Sequence, residues 1–120
     1  MPRKFYVTTS IAYVNAPPHI GFAMEVIQAD VLSNYHRLLG DETFFLTGTD
    51  EHGMKLVQAA HEKGMTPQAL ADCNSKYFRD LQDLLTLCNN FFIRTTDLSH
   101  IKGAQKLWKK LVDAGDIYKG

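Results

Sequence analysis

The sequence predicts a doubly wound α/β domain built on a parallel sheet. Three short runs rich in β-branched and aromatic residues alternate with longer runs whose apolar residues recur at helical spacing. The resulting order is β, α, β, α, α, β, α, and such alternation is typical of parallel strands joined by helical crossovers. Ligands of these sheets bind beyond the carboxyl ends of the strands, so the loops after the strands are the first candidates for function.

Length and composition fit one ordinary domain, residues 1–120. The chain has 120 residues, of which 45% are hydrophobic and 22% are charged, and its formal net charge is zero. These values exclude disordered and fibrous proteins and give no sign of nucleic-acid binding. Cys73 and Cys88 form no CxxC pair, so we expect small buried side chains in a reducing compartment. No apolar run approaches the roughly 20 residues of a membrane helix, and we expect a cytoplasmic protein without a membrane partner.

The first half of the chain predicts a strand, a helix and a second strand. KFYVTT, residues 4–9, is short and β-branched, as a buried strand would be. Pro17 and Pro18 suit a helix start just after them, and Gly40 suits its end. TFFLTG, residues 43–48, is a near-continuous apolar run that predicts a strand covered on both faces. The expected buried stripe of the helix is Ile20, Met24, Ile27, Val31, Tyr35 and Leu38.

The second half predicts two helices, a strand and a last helix. A helix should run from about Met54 to Lys63 before Gly64, and Thr66 with Pro67 should begin another that ends near Leu87. FFIRTT, residues 91–96, reads as a third strand, and Asp97 or Ser99 can cap a helix that ends at Gly115. Its expected buried stripe is Ile101, Ala104, Trp108, Leu111 and Val112, and its solvated face carries Lys102, Lys106, Lys109 and Lys110.

The loop YVNAPPHIGF, residues 13–22, follows the first strand and leads into the long helix. Amide groups at a helix start attract phosphate, and His19 could donate a hydrogen bond to a phosphate oxygen. Gly21 could let a flat base or a phosphate approach the backbone. The alternative is that His19 caps the helix and Gly21 only permits close packing, and an HxG triplet alone does not decide between the two.

The loop LTGTDEHG, residues 46–53, follows the second strand and should lie at the same edge of the sheet. A carboxylate there could pair with the ammonium group of an amino acid. The alternative is that Asp50 or Glu51 caps the next helix. A metal site is not favoured, because DEHG lacks the paired histidines of HExxH.

Together these two loops resemble the N-terminal half of the catalytic domain of the class I methionyl-tRNA synthetases, an incomplete Rossmann-like fold. The resemblance extends to QADVLSNYHRLLG, NFFIRTT and the terminal AGDIYKG. It implies that methionine attacks the α-phosphate of magnesium-bound ATP, with no metal site in this chain, and that the methionyl group then passes to tRNA(Met).

The resemblance also implies roles for particular residues. His19, within the HIGH-like sequence HIGF, would stabilise the phosphates as the catalytic residue. The other ATP-binding residues would be Asn15, Pro18, Gly21 and Phe22, with Gly21 beneath the adenine. The methionine-binding residues would be Ser10, Ile11, Tyr13 and Asp50, with Asp50 taking the ammonium group and the others lining the pocket.

Two departures from the family pattern limit these expectations. Phe22 stands where the signature has a second histidine, and nothing in the sequence matches the lysine-rich KMSKS signature. The sequence is therefore expected to be a fragment, weak or inactive alone, with tRNA contacts mainly elsewhere and an apolar sheet face prone to self-association. Two other functions remain open: a non-catalytic module that binds an adenylate or amino acid, and a small nucleotidyltransferase, although the latter class has no counterpart of TGTDEHG.

Overall fold

The computed structural model describes residues 2–119, so Met1 and Gly120, the last residue of AGDIYKG, lie outside it. Within this range the predicted order of elements is confirmed, with one short additional strand in the first loop. The elements are β1 (Lys4–Thr8), β2 (Ala12–Tyr13), α1 (Ile20–Leu38), β3 (Glu42–Asp50), α2 (Met54–Glu62), α3 (Pro67–Leu84), β4 (Phe91–Arg94) and α4 (Leu98–Asp113).

The sheet is parallel throughout, and β3 pairs on both of its edges. Leu46 is in register with Thr8 of β1 and with Phe91 of β4. Further along, Thr49 is in register with Ala12 of β2 and with Arg94 of β4. The strands β1 and β2 therefore follow one another along one edge of β3, and β4 lies along the other. All loops that leave the carboxyl ends of these strands emerge at the same edge of the sheet.

Several predicted helix boundaries are confirmed by their caps. The Thr66 hydroxyl accepts a hydrogen bond from the Ala69 amide, and Pro67 is the first helical residue of α3. Gly40, Gly64 and Gly115 follow α1, α2 and α4 with φ angles of +81°, +64° and +83°, values that favour glycine. The helix α3 ends at Leu84, three residues earlier than expected.

One face of the sheet is covered by helices and the other is open. Phe45 of β3 is fully buried in a single core with residues from α1, α2 and α3. Neighbouring strand residues point to opposite faces, and Phe44 is 45% exposed. Tyr6 of β1 and Phe91 of β4 are also exposed, by 60% and 46%. The expectation that β3 is covered on both faces is therefore wrong for residues 2–119. The expectation of an apolar open face is confirmed.

The buried stripe of α1 is not the one the sequence favoured. Phe22, Val26, Ala29 and Ser33 are buried, whereas Ile20 and Leu38 are 86% and 89% exposed. Both sets recur at helical spacing, and they lie on opposite sides of the helix. The set that faces the sheet contains small residues, which let α1 pack closely on it. Phe22 also makes an edge-to-face contact with Phe78 of α3, with ring centroids 5.0 Å apart.

Two other expectations about burial are wrong, those for α4 and for the cysteines. Trp108 is 62% exposed and every residue of α4 is at least partly exposed, because an amphipathic pattern indicates a helix but not its partner. The lysines of α4 are exposed as expected. Of the cysteines, Cys73 is exposed and Cys88 is half-buried. In α3 the buried set is Leu70, Ala71, Asn74, Ser75 and Phe78.

The Asp41 carboxylate ties the end of α1 to the start of β1. It accepts hydrogen bonds from His36 Nδ1 at 2.7 Å and from Arg3 Nη2 at 3.0 Å. The His36 ring stacks on Phe5, with centroids 3.4 Å apart. The hydrogen bonds from His36 and from Arg3 hold the pKa of Asp41 below its usual value of 3.8.

We expect Asp41→Asn to remove a pH-dependent part of the folding stability. Because the pKa of Asp41 is lower in the folded state, its carboxylate stabilises the fold above about pH 4, and this contribution disappears as the pH falls through the folded pKa. Urea unfolding of both proteins from about pH 6 to about pH 2 should show a stability difference that narrows towards acid. The control Asp80→Asn changes an exposed carboxylate of α3. A pH-independent difference for Asp41→Asn would contradict the assignment.

Gly48 of β3 lies in close contact with Ile93 of β4. A Cβ atom at this position would lie 2.0 Å from the Ile93 carbonyl oxygen. We expect Gly48→Ala to force these strands apart and to destabilise the protein by at least about 1–3 kcal/mol. Gly103→Ala is the matched control, because a Cβ atom there meets nothing within 4 Å and alanine is favoured inside a helix by roughly 1 kcal/mol. Equal denaturation midpoints for the two variants would show that the contact between Gly48 and Ile93 does not restrict the residue at position 48.

Candidate active site

Two neighbouring cavities open at the edge of the sheet where the predicted loops meet. The Asp50 cavity has a volume of about 250 Å³ and is lined by Tyr13, Val14, Asn15, Asp50, His52, Gly53, Met54, Lys55 and Leu56. The His19 cavity has a volume of about 540 Å³ and is lined by Ser10, Ile11, Ala12, Tyr13, Asn15, Ala16, Pro17, His19, Gly21, Phe22, Glu25 and Phe78. Tyr13 and Asn15 belong to both linings and so form a shared wall.

The predicted site residues are divided between these two cavities. Asp50 lies in the smaller one, whereas His19, Gly21 and Phe22 lie in the larger one with Ser10 and Ile11. Pro18 is the exception, because it lines neither cavity. Its neighbour Pro17 lines the His19 cavity.

His19 is positioned by the start of α1. Its Nδ1 atom accepts a hydrogen bond from the Gly21 amide at 3.0 Å, so the ring caps the helix as the simpler interpretation proposed. A ring nitrogen that accepts carries no proton, and neutral His19 therefore carries its proton on Nε2. The cap leaves this second nitrogen available as a donor. The capping and the phosphate-binding interpretations of His19 are thus compatible.

Gly21 gives the His19 ring the space to cap. A Cβ atom at position 21 would lie 2.8 Å from His19 Cε1 and 3.0 Å from Nδ1. A larger residue would push the ring away from the helix start. The requirement for glycine here follows from the histidine, and it needs no bound base.

Phe22 faces the core more than the cavity. The residue is 6% exposed, and its ring is held by the edge-to-face contact with Phe78. It therefore forms the floor of the His19 cavity. The burial of Phe22 leaves little of its ring surface accessible to a bound nucleotide.

Asp50 is the last residue of β3 and is in register with Tyr13 of β2. The helix α2 that follows has Gly53 at its N-cap and no side-chain cap, so neither Asp50 nor Glu51 caps it. Asp50 Oδ1 makes one long contact, 3.4 Å from the His52 amide. The capping explanation for Asp50 is therefore wrong, and its carboxylate retains capacity to accept hydrogen bonds from a ligand.

Ser10 and the shared wall are held by carboxylate and amide side chains of the helices. The amide and the hydroxyl of Ser10 both donate to the Glu25 carboxylate of α1, at 2.7 Å and 2.8 Å. Asn74 of α3 is buried and donates to the Val14 carbonyl at 2.6 Å, between Tyr13 and Asn15. Sequence reasoning missed both Glu25 and Asn74. A polar residue on the buried face of a predicted helix would have been the signal for Asn74.

Glu51 forms a buried ion pair that the sequence did not predict. Its side chain is 0% exposed and forms an ion pair with Arg94 of β4, whose Nη2 atom also donates to Asp72 of α3. The hydrogen bond from Arg94 to Glu51, and to a lesser degree the one to Asp72, raises the pKa of Arg94. The hydrogen bond from Arg94 also lowers the pKa of Asp72. The signal in the sequence was Arg94 itself, since a charged residue in an apolar strand requires a partner.

The described part of the chain gives no support for a metal centre or a membrane span. Among residues 2–119, no three His, Cys, Asp or Glu side chains are grouped so that they could hold a metal ion. No helix in the same range combines the length and apolarity that a bilayer crossing needs.

A parallel sheet with a capped helix after its first strand and an accepting carboxylate at the end of its central strand defines a nucleotide-binding type of α/β domain. Residues 5–120 match the family described as tRNA synthetases class I (M). The chain belongs to this family, as its sequence motifs had indicated.

Similar proteins agree with this membership. The Methionine–tRNA ligase of Brucella suis is 48% identical over 118 residues, which cover 98% of this chain and 23% of that protein. The Thermotoga maritima enzyme of the same name is 49% identical over 117 residues, with 98% and 19% covered. The chain therefore spans about a quarter or less of the length of these relatives.

Solved structures confirm the Rossmann-like fold of this family. Mycobacterium tuberculosis methionyl-tRNA synthetase in complex with methionyl-adenylate has a TM-score of 0.92 and 46% identity, and the match covers 97% of this chain and 23% of that one. The Agrobacterium radiobacter LeuRS in a ternary complex with tRNA and LeuAMS has a TM-score of 0.86, with 98% and 15% covered. Its identity is 23%, so it supports the fold alone.

Proposed function

We propose that this chain is the part of a methionine–tRNA ligase that binds methionine and the phosphates of ATP while methionyl-adenylate forms. The observation that carries the proposal is the pair of cavities that share Tyr13 and Asn15, with the Asp50 carboxylate in one and the His19 ring in the other. Family membership supports the same reaction, because the Brucella suis and Thermotoga maritima relatives are methionine–tRNA ligases.

In the proposed reaction a carboxylate oxygen of methionine attacks the α-phosphate of ATP, and pyrophosphate leaves. His19 donates its Nε2 proton in a hydrogen bond to a phosphate oxygen, and this donor stabilises the charge that develops in the transition state. The N-terminus of α1 adds its orphan amides and its dipole to the same side. Magnesium accompanies the phosphates of ATP, and the methionyl group then passes to the terminal ribose of tRNA(Met).

The methionine would lie between Asp50 and the shared wall. Asp50 accepts hydrogen bonds from the substrate ammonium group, since among residues 2–119 its carboxylate makes one long hydrogen bond, with the His52 amide. Tyr13 of the shared wall, and Ile11 beside it in the lining of the His19 cavity, offer exposed apolar surface to an unbranched thioether side chain. Ser10, held by Glu25, fixes the backbone behind them. Asn15, in the wall between the two cavities, contacts the ATP, and Gly21 lets the nucleotide approach the helix start.

The general test is methionine-dependent exchange of pyrophosphate into ATP. The assay should be run on this chain and on a chimaera in which the chain replaces the corresponding quarter of the Mycobacterium tuberculosis enzyme. We expect slow or no exchange by the chain alone and methionine-dependent exchange by the chimaera. A folded chimaera that exchanges pyrophosphate without methionine dependence would overturn the proposal.

A second candidate function is binding of an adenylate without chemistry. The observation in its favour is Phe22, whose buried ring supplies no hydrogen-bond donor where the family signature has a histidine. Saturable binding of a methionyl-adenylate analogue, together with a chimaera that is folded but inactive in exchange, would favour this alternative.

The two functions of His19 can be separated by substitution. We expect His19→Asn to keep the cap, because its side-chain oxygen can accept from the Gly21 amide, while the Nε2 donor is lost. Exchange by the chimaera should then fall about 100-fold to 1,000-fold, the usual effect of removing one such donor. The variant His19→Ala loses both functions and should also be less stable by roughly 1 kcal/mol. If His19→Asn exchanges at the unsubstituted rate, His19 is only a cap.

The role of Asp50 can be tested through substrate selectivity. We expect Asp50→Asn to raise the KM for methionine about tenfold to a hundredfold, because a charge-assisted hydrogen bond to the ammonium group is lost, with the KM for ATP little changed. The matched control is Asp113→Asn, which changes an exposed carboxylate of α4. An equal rise in both KM values would remove Asp50 from the methionine site.

A further inference from the structure

The buried carboxylate of Glu51 has a complete set of donors. Arg94 Nε and Nη2 donate to Oε1 and Oε2, at 2.7 Å and 2.9 Å, in a two-pronged ion pair. The Thr49 hydroxyl donates to Oε1 at 2.9 Å, and the Thr96 hydroxyl donates to Oε2. This network ties the carboxyl end of β3 to the end of β4, and Asp72 of α3 holds Arg94 from outside.

Packing alone does not explain a buried network of charged groups. The attraction between two buried charges is largely offset by the loss of their hydration, and apolar residues of similar volume often stabilise a protein as well or better. The ion pair does fix the relative orientation of the two side chains, because a guanidinium group and a carboxylate meet in one planar geometry. The position of the Glu51 backbone is thereby fixed relative to β4.

Glu51 lies between two residues of the Asp50 cavity but does not line it. Asp50, the last residue of β3, lines the cavity, whereas the side chain of the next residue, Glu51, is fully buried. The Glu51 amide also donates to the Thr95 hydroxyl at 2.8 Å, and the Thr95 amide donates to the Thr49 carbonyl at 3.2 Å. The peptide that carries Asp50 is therefore anchored on its far side by side chain and backbone together.

We propose that Glu51 and Arg94 are positioning residues that hold the Asp50 carboxylate at the distance and angle needed to take the ammonium group of the substrate amino acid. The inference rests on the proposed function. It adds that the selectivity for an α-amino group depends on two residues outside the cavity, which act through the position of Asp50. Neither residue touches the substrate. Removal of the ion pair should leave the cavity open but let Asp50 move within it.

The experiment compares two ligands of this chain, methionine and 4-(methylthio)butanoate, which is methionine without its amino group. Amide NMR titrations give the dissociation constants of both, and the same spectra report whether each variant is folded. A loss of Asp50 positioning lowers the affinity for methionine alone. A general loosening of the fold would lower both affinities together, so the ratio of the two constants separates positioning from a merely structural role.

We expect Glu51→Gln to reduce the preference for methionine over the analogue about fivefold or more. The glutamine amide has the size of the carboxylate but no charge, so it cannot form the two-pronged ion pair with Arg94. The matched control Asp80→Asn changes an exposed carboxylate of α3 outside the network and should change the preference by less than about twofold. Thr96→Val removes one neutral donor to Glu51 and should act in the same direction as Glu51→Gln but less strongly. If Glu51→Gln does not fold, Thr96→Val decides the question.

The outcomes distinguish this inference from the proposed function. If Asp50→Asn abolishes the preference for methionine while folded Glu51→Gln and Thr96→Val keep it, the positioning role is wrong and the proposed methionine site stands. Equal weakening of both ligands in Glu51→Gln also overturns the positioning role. If the unsubstituted chain has no preference, or Asp50→Asn does not change it, the Asp50 assignment and this inference both fail.

Discussion

The strand β3 makes parallel hydrogen bonds on both edges, with β1 and β2 on one side and β4 on the other. This pairing brings the first loop, the DEH segment and the end of β4 to one edge of the sheet. Two adjacent carboxylates at the end of β3 have different surroundings. Asp50 is presented to a cavity and Glu51 is enclosed with Arg94. A shift of one residue in the register of β3 would exchange these environments and would place an unsatisfied charge in the core.

The start of α1 depends on a second, local constraint. The His19 ring satisfies the Gly21 amide with one nitrogen, and the absence of a side chain at position 21 gives the ring its space. A single side chain can therefore serve both the fold and a ligand, because imidazole has two nitrogens with opposite roles in its neutral form. The His19 ring lines the His19 cavity, and its orientation there follows from the way it caps the helix.

Large apolar surfaces remain open in residues 2–119. One stripe of α1, the face of the sheet that carries Tyr6 and Phe44, and the apolar residues of α4 are all exposed. Contiguous apolar surface of this kind favours association or burial by further protein. These surfaces explain why the burial of α1 and of Trp108 differed from expectation, since hydrophobic spacing identifies a face that is suited to packing but not the element that packs on it.

The sequence by itself determined the order of the main elements and several helix boundaries, because strand composition, the Thr66 and Pro67 start, and the glycines after the helices act within a few residues. It also determined the family, through the residues of two loops. Only the tertiary structure decided which stripe of α1 is buried, that Asp50 is not a cap, that Asn74 holds the shared wall and that Glu51 pairs with Arg94. Each of these depends on contacts between segments far apart in the chain, and no local pattern contains the distance between them.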